Sequence, residues 1–178
     1  MNRTVRLLLF IALAGLLFAD IGSSAQETPN RWAPFEFLLG DWVGEGGGQQ
    51  GQGEGEFSFR LDLQNHILVR KNYAAYPLTN DRPAFRHDDL LIVYRKPEDP
   101  TPKAVYFDSE GHVIYYSITF SSDQKTIEFV SDVQPSSPRY RFTYIKTGSN
   151  SLALKFEIAP AGKPGAFKTY IEAKARRK

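Results

Sequence analysis

Among the 178 residues of this chain, three histidines and the acids around them are the side chains best equipped for chemistry. His66 stands in the turn-like run Gln64-Asn65-His66, His87 in Arg86-His87-Asp88-Asp89, and His112 closes Asp108-Ser109-Glu110-Gly111-His112. Asp108 and His112 flank a tight hairpin. With His87 and Asp88 or Asp89 they supply the imidazole and carboxylate donors that a divalent cation takes. A polar hairpin tip needs the same residues for contact with water, and no Cys/His metal spacing accompanies them, so the sequence assigns no metal. Ser109, Ser117, His112 and Asp108 are the types a nucleophilic triad uses, but the chain has no Gly-x-Ser-x-Gly elbow. No catalytic residue is assigned.

The aromatics give a stronger signal. Nine tyrosines are present, and strand parity puts Tyr94, Tyr140 and Tyr144 on the side of the apolar residues. Tyr115 or its neighbour Tyr116 joins them, and Tyr115 is the one assigned. A phenol has an apolar body and a hydroxyl that needs a partner when buried, which suits a pocket for an apolar molecule with one polar end. Arg70 lies between Val69 and Lys71, so one of the two cations faces inward. Arg70 is the natural partner for a ligand carboxylate or a tyrosine network. These five residues, Arg70, Tyr94, Tyr115, Tyr140 and Tyr144, form the expected binding set.

The elements that must position them are strands. Phe57, Phe59, Leu61 and Leu63 alternate with polar residues, as do Ile127 and Phe129, then Tyr140, Phe142 and Tyr144, then Leu152, Leu154, Phe156 and Ile158. Period two marks strands with one buried face. Turn chemistry divides them at 64–66, 77–83, 96–102, 109–111, 121–125, 134–138, 147–150 and 160–165. About ten strands joined by short turns pair as consecutive hairpins, and such a meander closes on itself to remove its edges. The expectation is an all-β, closed, antiparallel up-and-down barrel, with one helical turn over Phe35–Leu39. Phe57, Phe59, Leu61, Phe129, Phe142, Leu154, Phe156 and Ile171 should face its interior and Tyr170 its exterior. Trp42 should plug the floor under Arg176 or Arg177 by cation–π contact, with Arg176 assigned. The glycine-rich tract Gly44 to Gly55 has no strand-turn-helix context and no phosphate-loop lysine, and predicts a bent or bulged first strand with a turn.

The start of the chain predicts export. Arg3 and Arg6 precede an apolar run from Leu7 to Ala19, and Ser23-Ser24-Ala25 supplies small side chains for cleavage. A run of that length rises only about 20 Å as helix, too short for a hydrocarbon core of about 30 Å. Residues 1–25 are read as a signal peptide, 26–34 as a leader and 35–178 as one barrel domain. The expected location is a bacterial periplasm or medium, since the chain has no cysteine and hence no disulfide. Removal of Arg3, Arg6 and Asp20 with the signal leaves a near-neutral domain with no pull toward nucleic acid or anionic lipid.

The run Phe37-Leu38-Leu39-Gly40-Asp41-Trp42-Val43-Gly44-Glu45-Gly46 resembles the opening of calycin-type barrels, the group of lipocalins, fatty-acid-binding proteins and haem-binding nitrobindins. It is most similar to nitrobindin-like members and their bacterial relatives with signal peptides. The resemblance implies a barrel of eight to ten strands that holds a small apolar molecule. Nitrobindins ligate haem through a histidine on a late strand, whereas here the last histidine is His112; fatty-acid-binding proteins carry an Arg-x-Tyr pair that this chain lacks. The expected function is therefore an exported, non-catalytic binder of a small apolar ligand, with no cofactor and an open oligomeric state. The alternatives are a barrel-mouth hydrolase or isomerase using His112, Asp108 and His87, a haem binder with a non-standard ligand, and a structural or partner-binding barrel whose interior is filled.

Overall fold

The computed structural model describes residues 30–45, 53–79 and 83–178. Among these residues, ten strands follow one 3-10 helix, Ala33–Leu38. They are β1 (Gly40–Gly44), β2 (Glu54–Asp62), β3 (Ile67–Tyr76), β4 (Phe85–Lys96), β5 (Asp99–Asp108), β6 (Val113–Phe120), β7 (Thr126–Ser131), β8 (Arg139–Lys146), β9 (Ser151–Ala159) and β10 (Lys168–Arg177). Each pairs antiparallel with its sequence neighbour, and β1 pairs with β10 to close the barrel. The fold is the expected all-β, up-and-down barrel.

The alternating apolar residues explain which face turns inward. Phe57, Phe59, Phe129 and Leu154 are buried in the core, and Leu61 and Phe142 pack against it. Leu63 departs from the pattern: it is exposed, because Leu63, Gln64 and Asn65 all take positive φ in the β2–β3 turn. The turn predicted over 96–102 is shorter, and β5 already begins at Asp99. The β4–β5 register shifts between Tyr94 and Lys96, so Pro100 and Pro102, which lack an N–H, fall in an irregular stretch of ladder.

One end of the barrel is closed. The Trp42 indole is buried, donates to Leu38 O at 2.8 Å and stacks on Phe57 with centroids 6.1 Å apart. Its cationic cover is Arg177, whose guanidinium carbon lies 4.5 Å from the ring centroid. The assignment of Arg176 is corrected: Trp42 is in register with Arg177, and Arg176, one residue along, points outward to Glu45 at 3.9 Å. Arg177 also donates to the carbonyls of Leu39 and Phe37, tying the 3-10 helix to the last strand. Gly40 makes this possible. Its φ of +114° suits glycine, and a Cβ there would collide with Arg177 Nη1.

Trp32, in the stretch read as leader, is 2% exposed and joins the same plug. It donates to Asn65 O at 2.7 Å and meets Phe35 edge-on, and Phe35 in turn meets Phe120. The predicted signal peptide, residues 1–25, and the part of the glycine-rich turn at 46–52 lie outside the described residues. Among the described residues, no helix is long and apolar enough to cross a membrane.

Candidate functional site

The other end of the barrel holds a cavity of about 530 Å³. Two walls of different character face each other across it. β8, β9 and β10 contribute Tyr140, Phe142, Leu154, Phe156 and Ile171, whereas β3, β4 and β5 contribute Arg70, Asn72, His87, Asp89, Tyr106 and Asp108. The pattern follows from parity. Arg70 and Asn72 are two apart on β3, His87 and Asp89 on β4, and Tyr106 and Asp108 on β5, so each pair projects to the same face.

The polar wall is a connected network. Arg70 Nη1 donates to Asp89 Oδ1 in an ion pair whose side chains are only 6% and 4% exposed. Asn72 Nδ2 donates to Asp89 Oδ2 at 2.7 Å, and His87 Nε2 approaches the same oxygen at 3.3 Å. His87 Nε2 also lies 3.1 Å from the Tyr106 hydroxyl, while Nδ1 lies 2.7 Å from Glu110 Oε2. Burial works against the Arg70 charge, but Asp89 outweighs it and holds the guanidinium pKa above its ordinary value. The hydrogen bond to Asp89 likewise raises the His87 pKa against partial burial. Asp108 is fixed from its own turn. It accepts from the backbone N–H groups of Glu110 and His112, and its Oδ2 lies 2.8 Å from His112 Nδ1. Burial pushes its pKa up, yet these bonds prevail and hold it below the usual carboxylate range.

The five expected binding residues do not converge as a set. Arg70 and Tyr140 line the cavity. Tyr144 faces inward but lies beneath the cavity, wholly buried among Phe57, Phe59, Phe129 and Phe142. Its hydroxyl and the Arg70 Nε have no hydrogen-bond partner, and burial raises the phenol pKa. Tyr94 and Tyr115 are corrections to the inward expectation. On β4 the inward residues are His87, Asp89, Leu91 and Val93, which sends Tyr94 to the outside. Tyr115 is 57% exposed, and Tyr116 lines the cavity in its place. Both errors arise where apolar residues run consecutively, Leu90–Val93 and Val113–Tyr116, so parity has two consistent settings.

Tyr170, expected outside, reaches the cavity rim together with Ile171 and meets Phe156 edge-on at 6.2 Å. A register shift between Thr169 and Ile171 makes both possible. Of the other candidates, His66 is exposed in the β2–β3 turn. Lys71 and Asp88 also face away from the cavity, and Ser117 accepts from Lys103 Nζ. Ser109 donates to Glu110 Oε1 at 3.1 Å and accepts from the Asp88 N–H, so its hydroxyl is not aligned on either histidine. Asn72 and Tyr106 were missed. Inward parity from Arg70 on β3 and from Asp108 on β5 would have found both. No protein-family model matches this chain, and no curated protein matches it.

Proposed function

We propose that this chain is an exported carrier whose barrel holds a small, largely apolar ligand with one polar end, and that it is of calycin type. The observation that carries the reading is the cavity of about 530 Å³ with an aromatic wall opposite a hydrogen-bonding one. Its size is that of a small-molecule site, about 300–1,000 Å³, where apolar lining supplies affinity and a few polar groups set orientation. The ten-strand closed meander and the Gly40-Asp41-Trp42 opening support the calycin relation; the nitrobindin-like part rests on that opening alone. Export rests on residues 1–25.

Haem held in the nitrobindin manner, by a late-strand histidine, does not fit the residues present, and a haem here would need a ligand from elsewhere on the cavity wall, such as His112. β8, β9 and β10 carry no histidine, and Tyr144 is shut beneath the cavity by four aromatic rings. A second reading, the barrel-mouth enzyme, is favoured by one observation: His87, Asp108 and His112 all line the cavity.

Native mass spectrometry of the protein isolated from its own source tests the carrier. A retained mass, released on denaturation and extractable into organic solvent, is the expected result. Tyr116→Phe and Tyr140→Phe should weaken its retention by about 1–3 kcal/mol where they remove a buried hydrogen bond. Tyr94→Phe and Tyr115→Phe should leave it unchanged. No retained mass, together with no saturable uptake of an apolar fluorescent probe, would sink the carrier reading. Turnover of an ester or isomerisable substrate that vanishes in His112→Ala would replace it with the enzyme.

A further inference from the structure

We propose that the rim of the cavity is a binding site for one divalent transition-metal ion of zinc type, held by His87, Asp108 and Glu110. One ligand atom from each of the three lies within 4.8 Å of the others. An ion bound at about 2.0–2.2 Å from each donor spaces its ligands about 3.3–3.6 Å apart, so the exposed Glu110 carboxylate, 2.7 Å from His87 Nδ1, gives up that hydrogen bond and swings aside to admit the ion between them. One imidazole and two carboxylates form a mixed set suited to zinc and its first-row neighbours rather than to calcium, which takes six to eight oxygens.

The histidine is held for this role from outside the cluster. Metal-binding imidazoles commonly donate their second ring nitrogen to a carboxylate that fixes ring orientation and raises basicity. Asp89 stands in that place behind His87, 3.3 Å from Nε2, with its side chain 4% exposed. It is itself locked by Arg70 and Asn72, so it cannot turn away to solvent. That arrangement leaves Nδ1 aimed at Glu110, 2.7 Å away. The second ligand has its own support, because Asp108 is fixed by the Glu110 and His112 backbone N–H groups and by the His112 ring. Two of three ligands are thus held by partners that survive metal binding.

Three protein ligands leave a fourth position, and all three residues line the cavity. That position is therefore available to water or to a donor atom on whatever enters the barrel. The site does not depend on the cavity having an apolar occupant. The three ligands come from β4, the end of β5 and the β5–β6 turn, which explains why sequence spacing showed no metal pattern.

The test is titration of the metal-stripped protein with Zn²⁺ by calorimetry and with Co²⁺ by absorption. The expected result is one ion per chain and visible Co²⁺ bands of four-coordinate strength. Glu110→Gln and His87→Gln should each weaken binding by about ten-fold or more. Asp88→Asn and His66→Gln, on exposed side chains outside the site, should bind as the parent does. Glu110→Gln alters an exposed turn residue, so an unchanged melting temperature will show that its loss is one of ligation and not of fold. Absence of saturable binding overturns the proposal, as does binding that persists in both Glu110→Gln and His87→Gln.

Discussion

The two ends of this barrel are built from the same strands and differ in what their inward residues leave unfinished. At the closed end, Trp42 donates to Leu38 O, Arg177 covers the indole and caps two carbonyls, and Trp32 donates to Asn65 O. Each polar group there serves to fasten one segment to another. At the cavity end a chain of ionisable groups, Arg70, Asp89, His87 and Glu110, runs along one wall. A buried ion pair is weak support for a fold, because desolvation offsets much of its attraction. The closed end looks after stability, and the cavity end spends some of it on polar groups suited to a ligand.

Trp42→Ala is the strongest way to break that comparison. Emptying a large aromatic core site should lower unfolding free energy by about 3–5 kcal/mol, read from denaturant midpoints. A shift under about 1 kcal/mol would mean the indole is not the plug. Next comes Arg70→Met, which strands Asp89 as a buried charge and should cost about 3 kcal/mol or more. Arg70→Met with Asp89→Leu removes both charges, and the pair should be less destabilised than the single change. If the double variant is the worse of the two, the network stabilises the fold, and the division between the ends fails.

Gly40→Ala sharpens the closed-end account. It combines a strained φ with a collision against Arg177, so a loss of about 1–3 kcal/mol is expected, with Arg177→Ala recovering part of it. Full additivity of the two changes would separate Gly40 from the arginine.

The smallest expected effect concerns the outside of the cavity end. Arg141 donates to Glu157 through Nε at 2.6 Å and Nη2 at 2.9 Å, and its guanidinium carbon sits 4.4 Å from the Phe167 ring centroid. The Arg141 hydrogen bonds lower the Glu157 pKa from its ordinary 4.5 despite burial. The folded state therefore binds this proton less readily than the unfolded state. The resulting stability is fully present above about pH 4.5 and is lost as pH falls through the folded value. With Arg141 partly exposed the effect should be about 1 kcal/mol or less. Unfolding measured from pH 7 to pH 3 should show a shallower acid slope in Glu157→Gln; an identical slope would remove the clamp from the account.

The sequence by itself determined a count of about ten strands, the meander, a helical turn near Phe35 and the floor tryptophan. Those features are local: period two, turn residues and short connections act between neighbours in the chain. It also required one of the adjacent cations Arg70 and Lys71 to face inward. Only the closed barrel decided which of two adjacent residues faced in where both were apolar or both basic, as at Tyr115 and Tyr116 or Arg176 and Arg177. A one-residue change of register reverses every side chain on a strand, and register is set by cross-strand pairing such as Trp42 with Arg177 and Ala104 with Tyr116. The polar wall is a tertiary product for the same reason. Asp89 reaches Arg70 and Asn72 across the β3–β4 ladder, and His87 reaches Tyr106 on β5 and Glu110 in the β5–β6 turn, contacts between residues 17 to 23 positions apart that no local pattern encodes.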